Sequence, residues 1–197
     1  EFPYEWRNSN IITANLLKQK IQEIKNQTKV SKVDLVAHSM GGLIARQYIE
    51  GDGYQNDVDQ LITLGTPHKG SPVSYLTWEA GEKGVRLEDW TIKKLFELEA
   101  RHNGYDELKE YIQEKIVSVG ELLPDYNYLE ENGGTRSYPN GYPRNYFLEN
   151  LNNQDNLGNL KEVDFTNIIG KNKNTISKFK VIESTVEGKW EHGMPEN

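Results

Sequence analysis

Apolar residues recur at helical spacing over residues 10–29. Ile12, Leu16, Leu17, Ile21 and Ile24 share one side there, and Lys, Gln and Glu take the other. Residues 30–37 then form a nearly continuous apolar run, the pattern of a central strand covered on both faces. The run stops at Ser39, two glycines follow, and helical spacing resumes with Leu43, Ile44 and Tyr48 until Gly51-Asp52-Gly53. A second buried strand is expected over residues 61–64, closed by the Gly- and Pro-rich stretch 65–72. Helix, strand, helix, strand at this spacing predicts an α/β unit with a mostly parallel sheet and flanking helices.

From residue 75 the pattern changes. Helical segments are expected at 87–101 and 105–117, followed by Leu122-Leu123-Pro124 and a region rich in Asn, Gly, Tyr and Pro. Trp78, Trp90, Tyr126, Tyr128, Tyr138, Tyr142 and Tyr146 concentrate here, and most are assigned to a small satellite core rather than to ligand contact. Strand-like runs return at 163–170 and 178–183. The expected organisation is a core over 1–74, an inserted cap or lid over 75–160, and a return to core strands over 161–197.

The junction around Ser39 carries the candidate chemistry. A strand, a sharp turn holding a serine, and a helix make the layout of a nucleophile elbow, whose strained turn lifts the hydroxyl above the sheet end. Such a turn crowds strand against helix, so small residues are needed two before and two after the serine. Ala37 and Gly41 fill those places. The Met40 N–H then opens the helix, aimed where an oxyanion would form. The competing possibility is an ordinary strand-to-helix turn that happens to hold a serine.

Composition narrows the partners. The chain has 197 residues, enough for one sizeable core, and a formal charge of −7, which argues against a nucleic-acid or anionic-membrane surface as main partner. It has no cysteine, hence no disulfide and no thiolate chemistry. No stretch is apolar enough to span a bilayer as a helix. Metal-ligand spacing and phosphate-binding glycine motifs are not found, so no cofactor is expected.

Several segments together resemble the lipase and acyltransferase branch of the α/β-hydrolase fold, near bacterial lipases and lecithin:cholesterol acyltransferase-like proteins. They are Tyr4-Glu5-Trp6-Arg7, residues 37–42 (Ala-His-Ser-Met-Gly-Gly), Gly65-Thr66-Pro67-His68 with Gly70-Ser71, and Leu122-Leu123-Pro124-Asp125. The resemblance implies a serine nucleophile, a carboxylate–histidine pair, an oxyanion hole and carboxylic-ester or acyl-lipid substrates. The family's early oxyanion loop and its Gly-Asp-Gly-type acid segment are not matched, and the chain is therefore expected to be an excised core of a longer lipase-like protein.

Four histidines remain to be placed. His38 points away from Ser39 along the strand and is assigned a structural role. His68, on the loop after the second strand, shapes the pocket floor, and His102 is a solvated or packing residue. In this fold the chain order is serine, acid, histidine, which makes His192 the candidate base and Asp164 its carboxylate. The expected function is hydrolysis of carboxylic esters through a Ser39 acyl-enzyme, weak in this chain if the rest of the triad is lacking. Acyl transfer on the same scaffold, or a non-catalytic binding domain with a vestigial elbow, are the alternatives. Open sheet edges would favour self-association.

Overall fold

Ser9 caps the first helix, its side chain accepting from Ile11 N–H at 3.2 Å. This helix, α1 (Asn10–Thr28), ends where Lys29 turns left-handed and donates its N–H to Lys25 O. The computed structural model describes residues 1–82 and 90–196. The chain divides into two compact units, the first comprising Glu1–His68 with Tyr146–Lys173, the second Lys69–Asn145 with Asn174–Asn197.

In the first unit α1 is followed by β1 (Val33–His38), α2 (Met40–Glu50) and β2 (Val58–Leu64). The chain's later segments add α7 (Tyr146–Leu151), two 3-10 turns (Gln154–Leu157 and Asn159–Glu162) and β5 (Asp164–Ile168). The strands form a parallel sheet in the order β1-β2-β5, with Leu35, Leu61 and Phe165 in register and His38, Leu64 and Ile168 aligned at the carboxyl end. Val58, Leu61, Val33, Leu35 and Ala37 pack with Leu17, Ile21, Ile44 and Ile49 from the two helices. Burying Leu17 and Ile21 contributes about 1.5–3 kcal/mol each.

Two expectations change here. The buried stripe of α1 is Asn10, Thr13, Ala14, Leu17 and Ile21, while Ile12 is 55% exposed and Leu16 42%. Small Thr13 and Ala14 give the packing face a low profile, which the apolar count alone did not reveal. β1 is an edge strand rather than a central one. Its residues alternate between half-buried and exposed, Val36 being 70% exposed, so one face of this sheet carries the helices and the other is open.

The second unit holds α3 (Val73–Ala80), α4 (Trp90–His102), α5 (Leu108–Lys115) and the short α6 (Val117–Gly120). The helix expected from residue 87 is seen from Trp90; its first three residues lie outside the described ones. Strands β3 (Leu129–Glu131), β4 (Gly134–Thr135), β6 (Phe179–Ile182) and β7 (Met194–Pro195) form a small mixed sheet in the order β4-β3-β6-β7. The run at 178–183 therefore pairs with β3, and of the two late strand-like runs only β5 joins the parallel sheet. Tyr75, Tyr128, Tyr142 and Trp190 form the centre of this unit's core, with Tyr128 and Tyr142 rings 4.9 Å apart. Trp78, Tyr126 and Tyr138 pack around them, as a satellite core requires, whereas Tyr146 begins α7 in the first unit and is exposed. Among the described residues no helix is long and apolar enough to cross a membrane.

Candidate active site

Ser39 stands between β1 and α2 with φ 53° and ψ −129°. A non-glycine residue at positive φ is strained by about 1–3 kcal/mol, and such strain persists only where the surroundings hold it. The holding contacts are visible: Ser39 N–H donates to Leu64 O at 2.9 Å, and Gly42 N–H donates to Ser39 O at 3.1 Å. Serine at a helix start ordinarily caps it with its own side chain. Ser39 makes no such cap bond. Its hydroxyl is thus withheld from the role an ordinary strand-to-helix turn would give it. Met40 opens α2, where first-turn amides lack intrahelical acceptors and the helix dipole is positive.

The crowding at the elbow falls one residue later than the sequence suggests. A Cβ at Gly41 would meet the Ala37 Cβ at 3.9 Å and the Tyr4 hydroxyl at 4.0 Å, both ordinary contacts. A Cβ at Gly42 would run into Thr66 Oγ1 and lie 2.7 Å from its Cγ2. The loop after β2 presses on the elbow helix at that point. Beside the elbow, Phe2, Tyr4, Leu17, Leu35, Ala37, His38, Gly41 and Ile44 border a cleft of about 230 Å³ with a mixed, mainly apolar lining.

The remaining candidates occupy varied settings. Asp164 begins β5, in register with Gln60, whose Nε2 lies 3.5 Å from its carboxylate, and Gln60 in turn aligns with Asp34 near the start of β1. Ser39 follows the other end of β1. Four residues of strand, about 13 Å at ~3.3 Å each, separate the level of Asp164 from that of Ile168, so the register does not bring Asp164 to Ser39. The carboxylate that holds His192 is Glu79. Glu79, 1% exposed, accepts from His192 N–H at 3.2 Å and lies 3.0 Å from Nδ1. Glu79 sits on α3 and gave no signal in the sequence, because one acidic residue in a helix has no spacing that marks it. His38 is exposed at the end of β1, and His102 is exposed in the last turn of α4.

His68 is packed into a half-buried polar cluster that the sequence did not reveal. Arg46 Nη1 reaches His68 Nδ1 at 3.2 Å, and Thr63 Oγ1 lies 3.4 Å from Nε2. Burial and then the Arg46 charge push the imidazolium pKa down to about 4, against a hydrogen bond with Asn167 that acts the other way. The ring is neutral at physiological pH, but its Nδ1 faces an obligate donor. It does not border the cleft beside the elbow, and it is not available to take the Ser39 proton. Arg46 and Glu50, spaced i,i+4 on the helix after the elbow, were the one part of this cluster the sequence could have offered. Among the described residues no group of His, Cys, Asp and Glu has the arrangement of a metal site.

A strained serine left out of helix capping, at the carboxyl end of a parallel sheet and followed directly by a helix N-terminus, is the local arrangement of an α/β-hydrolase fold. Residues 9–119 match the family model described as PGAP1-like alpha/beta domain, and the chain belongs to that family. It is 32% identical over 75 residues to phospholipase A(1) LCAT3 of Arabidopsis thaliana, a match covering 36% of this chain and 17% of that protein. It is 46% identical over 46 residues to a GPI inositol-deacylase of Coccidioides immitis (strain RS), covering 23% and 4%. Triacylglycerol lipase 2 of Saccharomyces cerevisiae is 37% identical over 59 residues, covering 29% and 18%. These matches span less than a fifth of each relative. Among solved structures, the mature Bacillus licheniformis lipase BlEst2 aligns with a TM-score of 0.46 at 20% identity, covering 81% of this chain and 47% of that one.

Proposed function

We propose that the chain carries the nucleophile of a carboxylic-ester hydrolase, with Ser39 forming the acyl-enzyme and lipid acyl esters as substrates. The observation that carries this reading is the Ser39 backbone, held at φ 53° with its hydroxyl left out of helix capping. Strain of this kind has no value to a turn that only connects a strand to a helix. The mainly apolar cleft bordered by Ala37 and Gly41, the two residues flanking Ser39 at a distance of two, supports an ester with an apolar acyl portion.

In the proposed reaction Ser39 Oγ attacks the ester carbonyl carbon and passes its proton to a general base. The carbonyl π electrons move to oxygen, and the Met40 N–H stabilises that oxyanion. Collapse expels the alcohol and leaves the acyl group on Oγ. Water then attacks the acyl carbonyl, and the carboxylate departs as the serine regains its proton. His68, with Nδ1 committed to Arg46, does not supply the base. Among the described residues no histidine is hydrogen-bonded to Ser39 Oγ, and the chain is proposed to be weakly active, near the roughly 10³–10⁴-fold acceleration that binding and an oxyanion hole give without a working triad.

The test is hydrolysis of p-nitrophenyl butyrate and p-nitrophenyl dodecanoate by the native chain and by Ser39→Ala. Slow turnover that disappears in Ser39→Ala supports the proposal. Turnover that survives the substitution contradicts it.

A further inference from the structure

Arg46 uses its whole guanidinium. Nε donates to Glu50 Oε1 at 2.7 Å and Nη2 to Glu50 Oε2 at 3.4 Å and to Leu151 O at 2.9 Å. Nη1 donates to Asn152 Oδ1 and reaches His68 Nδ1, each at 3.2 Å. An arginine cannot accept a hydrogen bond, so Nδ1 of His68 is the acceptor and the ring proton resides on Nε2. That proton points toward Thr63 Oγ1, and the Thr63 hydroxyl donates onward to Asn167 Oδ1 at 3.0 Å. The tautomer of His68 thus follows from the arginine. Asn152 Nδ2 closes the circuit by donating to His68 O at 2.8 Å.

The cluster joins the elbow helix to the loop after β2 at two levels. Thr66 packs directly on Gly42, and His68 meets Arg46. Gly42 and Arg46 lie four residues apart, on one face of α2. Two contacts a helical turn apart fix both the rotation and the axial position of α2 against the loop. The residue ahead of that helix is Ser39, whose carbonyl is bonded to the Gly42 amide.

We propose that His68 is a positioning residue for the Ser39 elbow: as the neutral Nε2–H tautomer it accepts from Arg46 and so registers the 65–68 loop against α2. The proposal rests on the Ser39 reading given above. The groups that meet the ring are Arg46 from α2, Thr63 from β2, and Phe165 and Asn167 from β5, of which Arg46 is charged; Glu50 pairs with the far side of Arg46, and Asn152 bonds the His68 carbonyl.

The experiment compares the native chain with His68→Asn, whose Oδ1 keeps an acceptor toward Arg46, and His68→Phe, which has none. Three readouts are taken: the histidine ¹⁵N and ¹³C resonances from pH 8 to pH 5, amide exchange at Met40–Leu43, and the rate of Ser39 phosphonylation. The expected result is an untitrated Nε2–H ring in the native chain. Exchange at Met40–Leu43 should be at least tenfold faster in His68→Phe and restored in His68→Asn, with a matching tenfold loss and rescue of the labelling rate. A ring that titrates near 6.5, a proton on Nδ1, or equal elbow exchange in all three proteins would overturn the proposal. If Ser39 labels in none of them, the hydrolase reading fails, while the resonances and the exchange rates still decide the role of His68.

Discussion

Replacing Gly42 by alanine should destabilise the protein, against the usual trend for a helix. In an unobstructed helix this change gains up to about 1 kcal/mol, because alanine is the better helix former. Here the new methyl would run into Thr66 Oγ1 and stand 2.7 Å from Cγ2 and 2.9 Å from Cβ, closer than side chains approach. The threonine belongs to a loop tied down by the His68 cluster, so it has little room to retreat. Overpacking costs about 1–3 kcal/mol, and with three atoms inside contact distance the upper part of that range, about 2–3 kcal/mol, applies, which leaves a net loss of about 1–2 kcal/mol. For a chain of this length that is a fall of roughly 3–6 °C in Tm. Thr66→Ala removes two of the three contacts and should restore part of the loss, and Thr66→Gly removes all three. A double-mutant cycle by urea unfolding, followed by circular dichroism, should give a favourable coupling of about 1–2 kcal/mol between positions 42 and 66. A Gly42→Ala variant as stable as the native chain, or more stable, would refute the reasoning.

Other outcomes follow from the same geometry. The His68 pKa is about 4 in the folded chain against 6.5 for an ordinary imidazole. Its contribution to stability is therefore complete above pH 6.5 and lost as the pH falls toward 4, because the unfolded chain takes up the proton first. With its partial exposure allowed for, the loss between pH 7 and pH 4.5 is roughly 1–2 kcal/mol; urea unfolding at those two pH values should show it in the native chain and largely abolish it in His68→Asn. Ser39→Gly should relieve the backbone strain and stabilise the fold by about 1 kcal/mol while abolishing ester turnover; a drop in Tm would count against strain at this position. The open edge of β1, with Val36 exposed, should drive concentration-dependent association that Val36→Lys suppresses in sedimentation velocity; identical sedimentation of both proteins at all concentrations would rule that edge out.

The α/β character and the strand, turn and helix around Ser39 were legible because they rest on local signals: an apolar run that stops at the serine and a helical period that follows it. The sequence pointed to crowding at Gly41, and the structure places it at Gly42, because the pressing atom belongs to Thr66, a neighbour known only once β1 and β2 are in register. Asp164 fitted the required chain order yet starts its strand at the wrong end of the sheet, which spacing along a chain cannot show. Glu79 and His192 are separated by more than a hundred residues, and Arg46 by about as many from Asn152, so neither pairing leaves a periodic trace. The run at 178–183 read correctly as a strand, but its partner, β3, was hidden in a region dominated by turn residues.

The account stands on Ser39 being a nucleophile, and the direct measurement is reaction of the chain with a fluorophosphonate, read by intact and peptide mass spectrometry beside Ser39→Ala. One phosphonyl group on the peptide containing Ser39, slow to form and absent from the substituted chain, is the predicted result. A folded native chain that stays unmodified, or that labels equally well after Ser39→Ala, would contradict it.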